Sequence, residues 1–222
     1  MRAPGVKPVV IDGLTLTVIG PNAAEIAKLQ ADFESYLVEK GLAATAALAA
    51  ATITQDNSPT NLSSIACLAS FGDRRILLTG DARGDRILEG LQALDLLPGG
   101  RMEVDILKVQ HHGSARNMKP DFFRAIRAGT YVISADGKHS NPDRATIEAI
   151  LDARDPADAY HLAFTYPLAD IDETRRRLGG ADWTPETNGI EALIQRRKAD
   201  GYAFTFSEGR HVIDLGDEAV DW

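Results

Sequence analysis

The sequence predicts an α/β fold: a mixed sheet flanked by helices, with an antiparallel meander at its C-terminal end. Three observations carry this. Two hairpins, turning at Asp12-Gly13 and Gly72-Asp73, begin the two halves of the chain. Between Ile76 and Ile133, apolar runs of strand length alternate with stretches of helical period. After residue 185 the pattern becomes short segments separated by Asp200-Gly201 and Glu208-Gly209.

The elements follow in order. Val9 to Ile11 and Leu14 to Ile19 are β-branched and read as paired strands. Asn22 is a favoured helix cap, and Ile26, Leu29, Phe33 and Leu37 recur at helical spacing, so a helix over 23–40 should bury that stripe. Residues 43–51 are alanine-rich and could be helical, whereas 52–61 read as a polar loop. Ile65 to Ala69 and Ile76 to Leu78 form the second hairpin, and a helix over 84–94 follows. Asp105 to Val109 is almost continuously apolar, which suits a strand covered on both faces. A short helix near Phe122-Phe123, a strand at 131–133, a helix over 143–151, a strand at 161–166 and a helix over 171–178 complete the regular part. Ile190 to Arg196, Tyr202 to Phe206 and Val212 to Leu215 read as the meander. One domain spans 1–222, with 185–222 as a β extension.

Composition narrows the function. The chain has 222 residues, 44% hydrophobic and 25% charged, as an ordinary globular protein does. Its formal net charge of -8 disfavours bulk nucleic-acid binding, which needs concentrated Lys and Arg. One cysteine, Cys67, excludes an internal disulfide and a cysteine-rich zinc site; its place in an apolar strand suits a buried, inert thiol. No apolar run reaches the roughly 20 residues of a membrane span, and Met1 to Gly5 lacks a signal-peptide core. The chain therefore reads as soluble and cytoplasmic.

The chemistry gathers between Asn61 and Ser114. Thr79-Gly80-Asp81 ends one strand, and His111-His112-Gly113-Ser114 ends the next. A carboxylate after a strand and a glycine either projects into a cleft or caps the next helix. Imidazole is a common metal ligand and a proton carrier near neutral pH. On an extended chain, adjacent side chains point apart, so only one of His111 and His112 would face a given metal unless the Gly113 turn redirects the other. The 31 positions from Asp81 to His112 hold one helix and one strand. That crossover brings two parallel strand ends to one sheet edge, where α/β proteins place their sites.

Thr79-Gly80-Asp81 followed by Leu107-Lys108-Val109-Gln110-His111-His112-Gly113-Ser114 resembles the second half of metallo-β-lactamase-fold hydrolases. The similarity is to the branch of the competence-protein hydrolase domain and phosphorylcholine esterases. Asn61-Leu62-Ser63-Ser64-Ile65 resembles the same branch. The resemblance covers roughly 57–151, with Leu14 to Leu37 similar to the strand and helix before it. It implies the second half of an αββα sandwich. It also implies that Asp81 bridges two metals, Zn or Mn, that His112 is a metal ligand, and that His111 handles a proton or the substrate. Ser114 would contact a phosphate or simply form the turn. In relatives a Gly-His-Pro follows the next strand; here Asn141 precedes the proline and His139 falls two positions earlier, so both are candidates for the substrate pocket. His161 and His211 read as structural.

The departure from the pattern matters as much. The family's earlier His-x-His-x-Asp-His motif, which supplies most metal ligands, does not occur in these residues. The expectation is weak or absent metal binding by this chain alone. Its partner would be an N-terminal half or a second chain that covers an exposed sheet face and completes a dinuclear hydrolase of a small phosphodiester or related ester. The alternative is a catalytically inactive binding or assembly subunit. An α/β-hydrolase reading fails for want of a Gly-x-Ser-x-Gly elbow.

Overall fold

The structure, a computed structural model, describes residues 7–39, 61, 63–118, 120–210 and 213. Among the described residues, eight strands form one mixed sheet in chain order. They are β1 (Val9–Ile11), β2 (Leu14–Gly20), β3 (Ala66–Phe71), β4 (Arg74–Leu78), β5 (Met102–Lys108), β6 (Ile126–Ile133), β7 (His161–Phe164) and β8 (Thr205–Glu208). β1 to β4 pair antiparallel, through the two expected hairpins and the β2–β3 pairing. β4 to β8 pair parallel.

Helices fill the crossovers. α1 (Ala23–Glu39) follows β2, and α2 (Gly84–Ala93) links β4 to β5. α3 (Pro120–Ala125) precedes β6, and α4 (Arg144–Asp152) precedes β7. α5 (Leu168–Gly179), α6 (Pro185–Asn188) and α7 (Ile190–Ala199) lie between β7 and β8. Parallel strands that advance in one direction, each joined by a right-handed crossover, place those helices on one side of the sheet. Directly paired residues share a face. One such row, Leu68, Leu77, Leu107, Tyr131 and Leu162, joins Ile87, Leu91, Phe122, Phe123, Ile147, Ile171 and Leu193 of the helices in a single core.

The neighbouring row faces the other way: Ala69, Ile76, Ile106, Thr130, His161 and Thr205. Ile106, Thr130 and His161 are buried, yet none of them belongs to that core. At the β1–β4 end of this face Ile11, Phe71 and Leu78 are exposed, Phe71 to 60%.

Several expectations are corrected. Among the described residues the C-terminal meander is not formed. Ile190, Leu193 and Ile194, spaced i, i+3, i+4, are the buried side of α7, and β8 extends the main sheet parallel to β7. Residues 185–199 are therefore mostly helical, not a β extension. Asn22 caps α1 as expected: its Oδ1 accepts from the backbone of Ala24 and Glu25 at 3.0 Å, and Glu25 Oε2 accepts from Asn22 N at 2.7 Å. The α1 stripe is not buried, since Ile26 and Phe33 are exposed. Cys67 is half-buried rather than buried, and burial pushes its thiol up. The readings for 43–60, for His211 and for the strand over 212–215 lie outside the described residues, Ile213 excepted.

Candidate metal centre

Two turns at adjacent parallel strand ends build the site. After β4, Gly80 has φ +51, and a Cβ there would overlap Ser64 Oγ. Only glycine lets the chain turn this close, so Asp81 N donates to Ser64 Oγ at 2.8 Å. Asp81 does not cap α2; the residue before that helix is Arg83. Thr79, fully buried, donates from Oγ1 to Lys108 O at 2.5 Å and binds the β4 end to the β5 end.

After β5, His111 and His112 both have positive φ, 44° and 55°, followed by Gly113 at 83°. A run of left-handed residues is strained, at about 1 kcal/mol or more for each non-glycine, and such strain clusters at functional sites. Here it replaces the extended geometry in which neighbours point apart, so both imidazoles stay at the strand end. Their ring centroids are 6.4 Å apart at 77°. Gly113 sits tight against the next loop: a Cβ would stand 2.7 Å from Pro142 Cβ. Asp143 closes the same junction, its N donating to Gly113 O at 3.0 Å and its Oδ2 accepting from Ala115 N at 2.8 Å.

The two histidines are held differently. His112 Nδ1 is 2.5 Å from Ser134 O, at the end of β6, and its Nε2 is 3.7 Å from Asp81 Oδ1. A carbonyl only accepts, so Nδ1 carries the hydrogen, and Nε2 is the nitrogen that faces Asp81. His111 N donates to Gly80 O at 3.0 Å, and His111 Nδ1 is 3.4 Å from Asn61 Nδ2. Lys108 lies on the same side: burial lowers its pKa, against the pull of the Asp81 charge.

A cleft of about 330 Å³ opens beside His112, lined by Ser134, Ala135, Asp136, Lys138, His139, Asn141 and Tyr166. His139 and Asn141 thus fall next to the site. Asn141 Nδ2 donates to His111 O at 3.4 Å. Lys138 Nζ pairs with Asp136 Oδ2 at 2.5 Å, which holds the Asp136 carboxyl below its ordinary range. Ser114 is not brought to the cleft. It is buried, and its N donates to His111 O at 2.9 Å, so it closes the turn. His161 lies apart, its ring nitrogens 2.8 Å from Thr205 Oγ1 and 2.7 Å from Ser207 Oγ.

Sequence reasoning missed Ser134, Lys138 and Tyr166. Their placement comes from the parallel register of β5, β6 and β7, which leaves no local signal. A larger cleft, about 510 Å³, lies at the opposite edge, near the starts of β5 and β6. Several of its charges are paired: Arg127 and Arg154 with Asp158, and Asp105 with Arg74 beside the cleft.

Two donor atoms bound about 2.1 Å from one tetrahedral ion stand roughly 3.4 Å apart. Asp81 Oδ1 and His112 Nε2 fit that as two ligands of a shared divalent ion. Among the described residues, no group of three or more His, Cys, Asp or Glu side chains gathers closely enough to hold a metal. No helix among them is long and apolar enough to cross a membrane. No protein-family model, curated protein or solved structure matches the chain.

Proposed function

We propose that this chain is one wall of a metal-dependent hydrolase of the metallo-β-lactamase superfamily, acting on a small phosphodiester or related ester. The remaining ligands would come from an N-terminal half or a partner chain carrying the His-x-His-x-Asp-His motif. The observation that supports this best is the His112 ring, anchored at Nδ1 by the Ser134 carbonyl with Nε2 aimed at Asp81. An imidazole fixed through its far nitrogen on a carbonyl is the usual second-shell support of a metal-binding histidine.

Zn or Mn, when bound, supplies Lewis acidity and a nucleophile available at neutral pH. Asp81 and His112 would hold it. Asp81 is oriented through its backbone by Ser64, and His112 through its ring by Ser134. His111 stands beside them, with its Nε2–H as the group that donates a hydrogen bond to the leaving oxygen. His139, Asn141 and Lys138 line the cleft that orients the rest of the substrate.

The test is metal content and hydrolysis of bis-p-nitrophenyl phosphate, for the chain alone and with its complementing half. Asp81→Asn should lower the rate of the complete assembly by at least about 100-fold and release metal. An assembly that holds neither Zn nor Mn, or whose rate ignores Asp81→Asn, would sink the proposal in favour of an inactive assembly subunit.

A further inference from the structure

One turn reaches both halves of the candidate centre. Asn61 O accepts from Ser64 N at 3.1 Å, closing a turn over residues 61–64. Ser64 Oγ then accepts from Asp81 N, and Asn61 Nδ2 lies 3.4 Å from His111 Nδ1. The turn therefore touches the carboxylate-bearing segment through its serine and the imidazole-bearing segment through its asparagine.

The contact to His111 has a direction. An amide nitrogen can only donate, so His111 Nδ1 must accept. A neutral imidazole that accepts at Nδ1 carries its hydrogen at Nε2. The neighbouring ring is the reverse, because Ser134 O can only accept from His112 Nδ1. Two adjacent histidines are thus pinned in opposite tautomers by groups from different parts of the chain.

We infer that Asn61 is a positioning residue which, opposite the Ser134 carbonyl, locks His111 with its hydrogen on Nε2 and His112 with its lone pair on Nε2. The two rings then divide the work: His111 offers a hydrogen bond from Nε2 to the substrate and is not a ligand, and His112 is a ligand and not a donor. That division rests on the hydrolase reading; the tautomers themselves do not. The position of Asn61 also gives the segment before β3 a chemical role.

The experiment is ¹⁵N NMR of histidine-labelled full-length chain at about pH 8, above the ordinary imidazole range. Signals are assigned by their loss in His111→Gln and His112→Gln. His112 should show a protonated Nδ1 and an unprotonated Nε2, and His111 the converse. Asn61→Asp, nearly isosteric, replaces the donor with an acceptor; His111 should invert and His112 stay as it was. In the complete assembly the same variant should lower kcat about 100-fold with KM unchanged. Wild-type His111 protonated at Nδ1, which the opposite amide orientation would produce, overturns the inference. So does an Asn61→Asp chain in which His111 does not change. Adding Zn to the labelled assembly should shift His112 Nε2 directly. If neither ring responds to Zn, the hydrolase reading fails while the tautomer assignment stands.

Discussion

The two faces of the sheet use the same strands and meet different fates. On one, Leu68, Leu77, Leu107, Tyr131 and Leu162 form a closed row under the helices, none more than 4% exposed. On the other, the adjacent row changes along its length. It is apolar and open around Phe71 and Leu78, then buried and increasingly polar through Thr130 and His161. Strand alternation creates two candidate faces; connection handedness decides which one receives helices. With the strands in chain order, every crossover among β4 to β8 spends its helix on the same side. The other side receives none of those helices, and its apolar residues Ile11, Phe71 and Leu78 at the β1–β4 end stay exposed.

Three perturbations bear on that difference. The largest effect is expected on the helical side at Asp172, whose carboxylate accepts from Ile190 N and Glu191 N and pairs with Arg175 at 3.1 Å. It caps α7 from α5, and Arg175 continues to Ser140 O and Asn188 O. Asp172→Ala leaves a buried guanidinium without its counter-ion and should cost about 4 kcal/mol in urea unfolding. Next comes a matched pair across the sheet. Leu107→Ala, in the closed row, should cost about 3 kcal/mol, and Leu78→Ala, on the open face, under about 1 kcal/mol. Equal losses for the two would mean that the second face is covered in solution. The smallest effect belongs to Glu173 on the outer side of α5. Hydrogen bonds from Arg176 and Arg177 pull its carboxyl down to about 2. A depressed carboxylate contributes stability above its ordinary range and loses it as pH falls through about 2. The group is exposed, so Glu173→Gln should flatten acid unfolding only slightly, as followed by circular dichroism.

Much of the framework is readable in the residues. Asp12-Gly13 and Gly72-Asp73 are turns whatever surrounds them, because few other residues accept those backbone angles. The β4–α2–β5 crossover is legible because strand and helix periods differ over segments long enough to count. The tail misleads for the opposite reason: over seven residues, Ile190 to Arg196 supports either period, and packing on α5 decides for the helix. For α1 the stripe is present in sequence, but a stripe states only what could be buried. The site divides in the same way. Asp81, His111 and His112 are visible as residue types at strand ends. Which histidine faces Asp81 depends on left-handed angles at both, and the cleft wall from Ser134 to Tyr166 depends on sheet register. For Ser114 the residues leave a phosphate contact and a turn-forming serine open; its burial and its N–H on His111 O make it the turn serine.

The strand order has a consequence for how the molecule assembles. Each strand pairs with the one made just before it, so no segment waits for a distant partner, and the sheet can lengthen as the chain emerges. Asn61, Asp81, His112 and Ser134 all belong to the portion ending with β6 and the turn after it. Their arrangement can therefore form before β7 and β8 have been synthesised, and the last two strands lengthen a sheet whose chemical edge already exists.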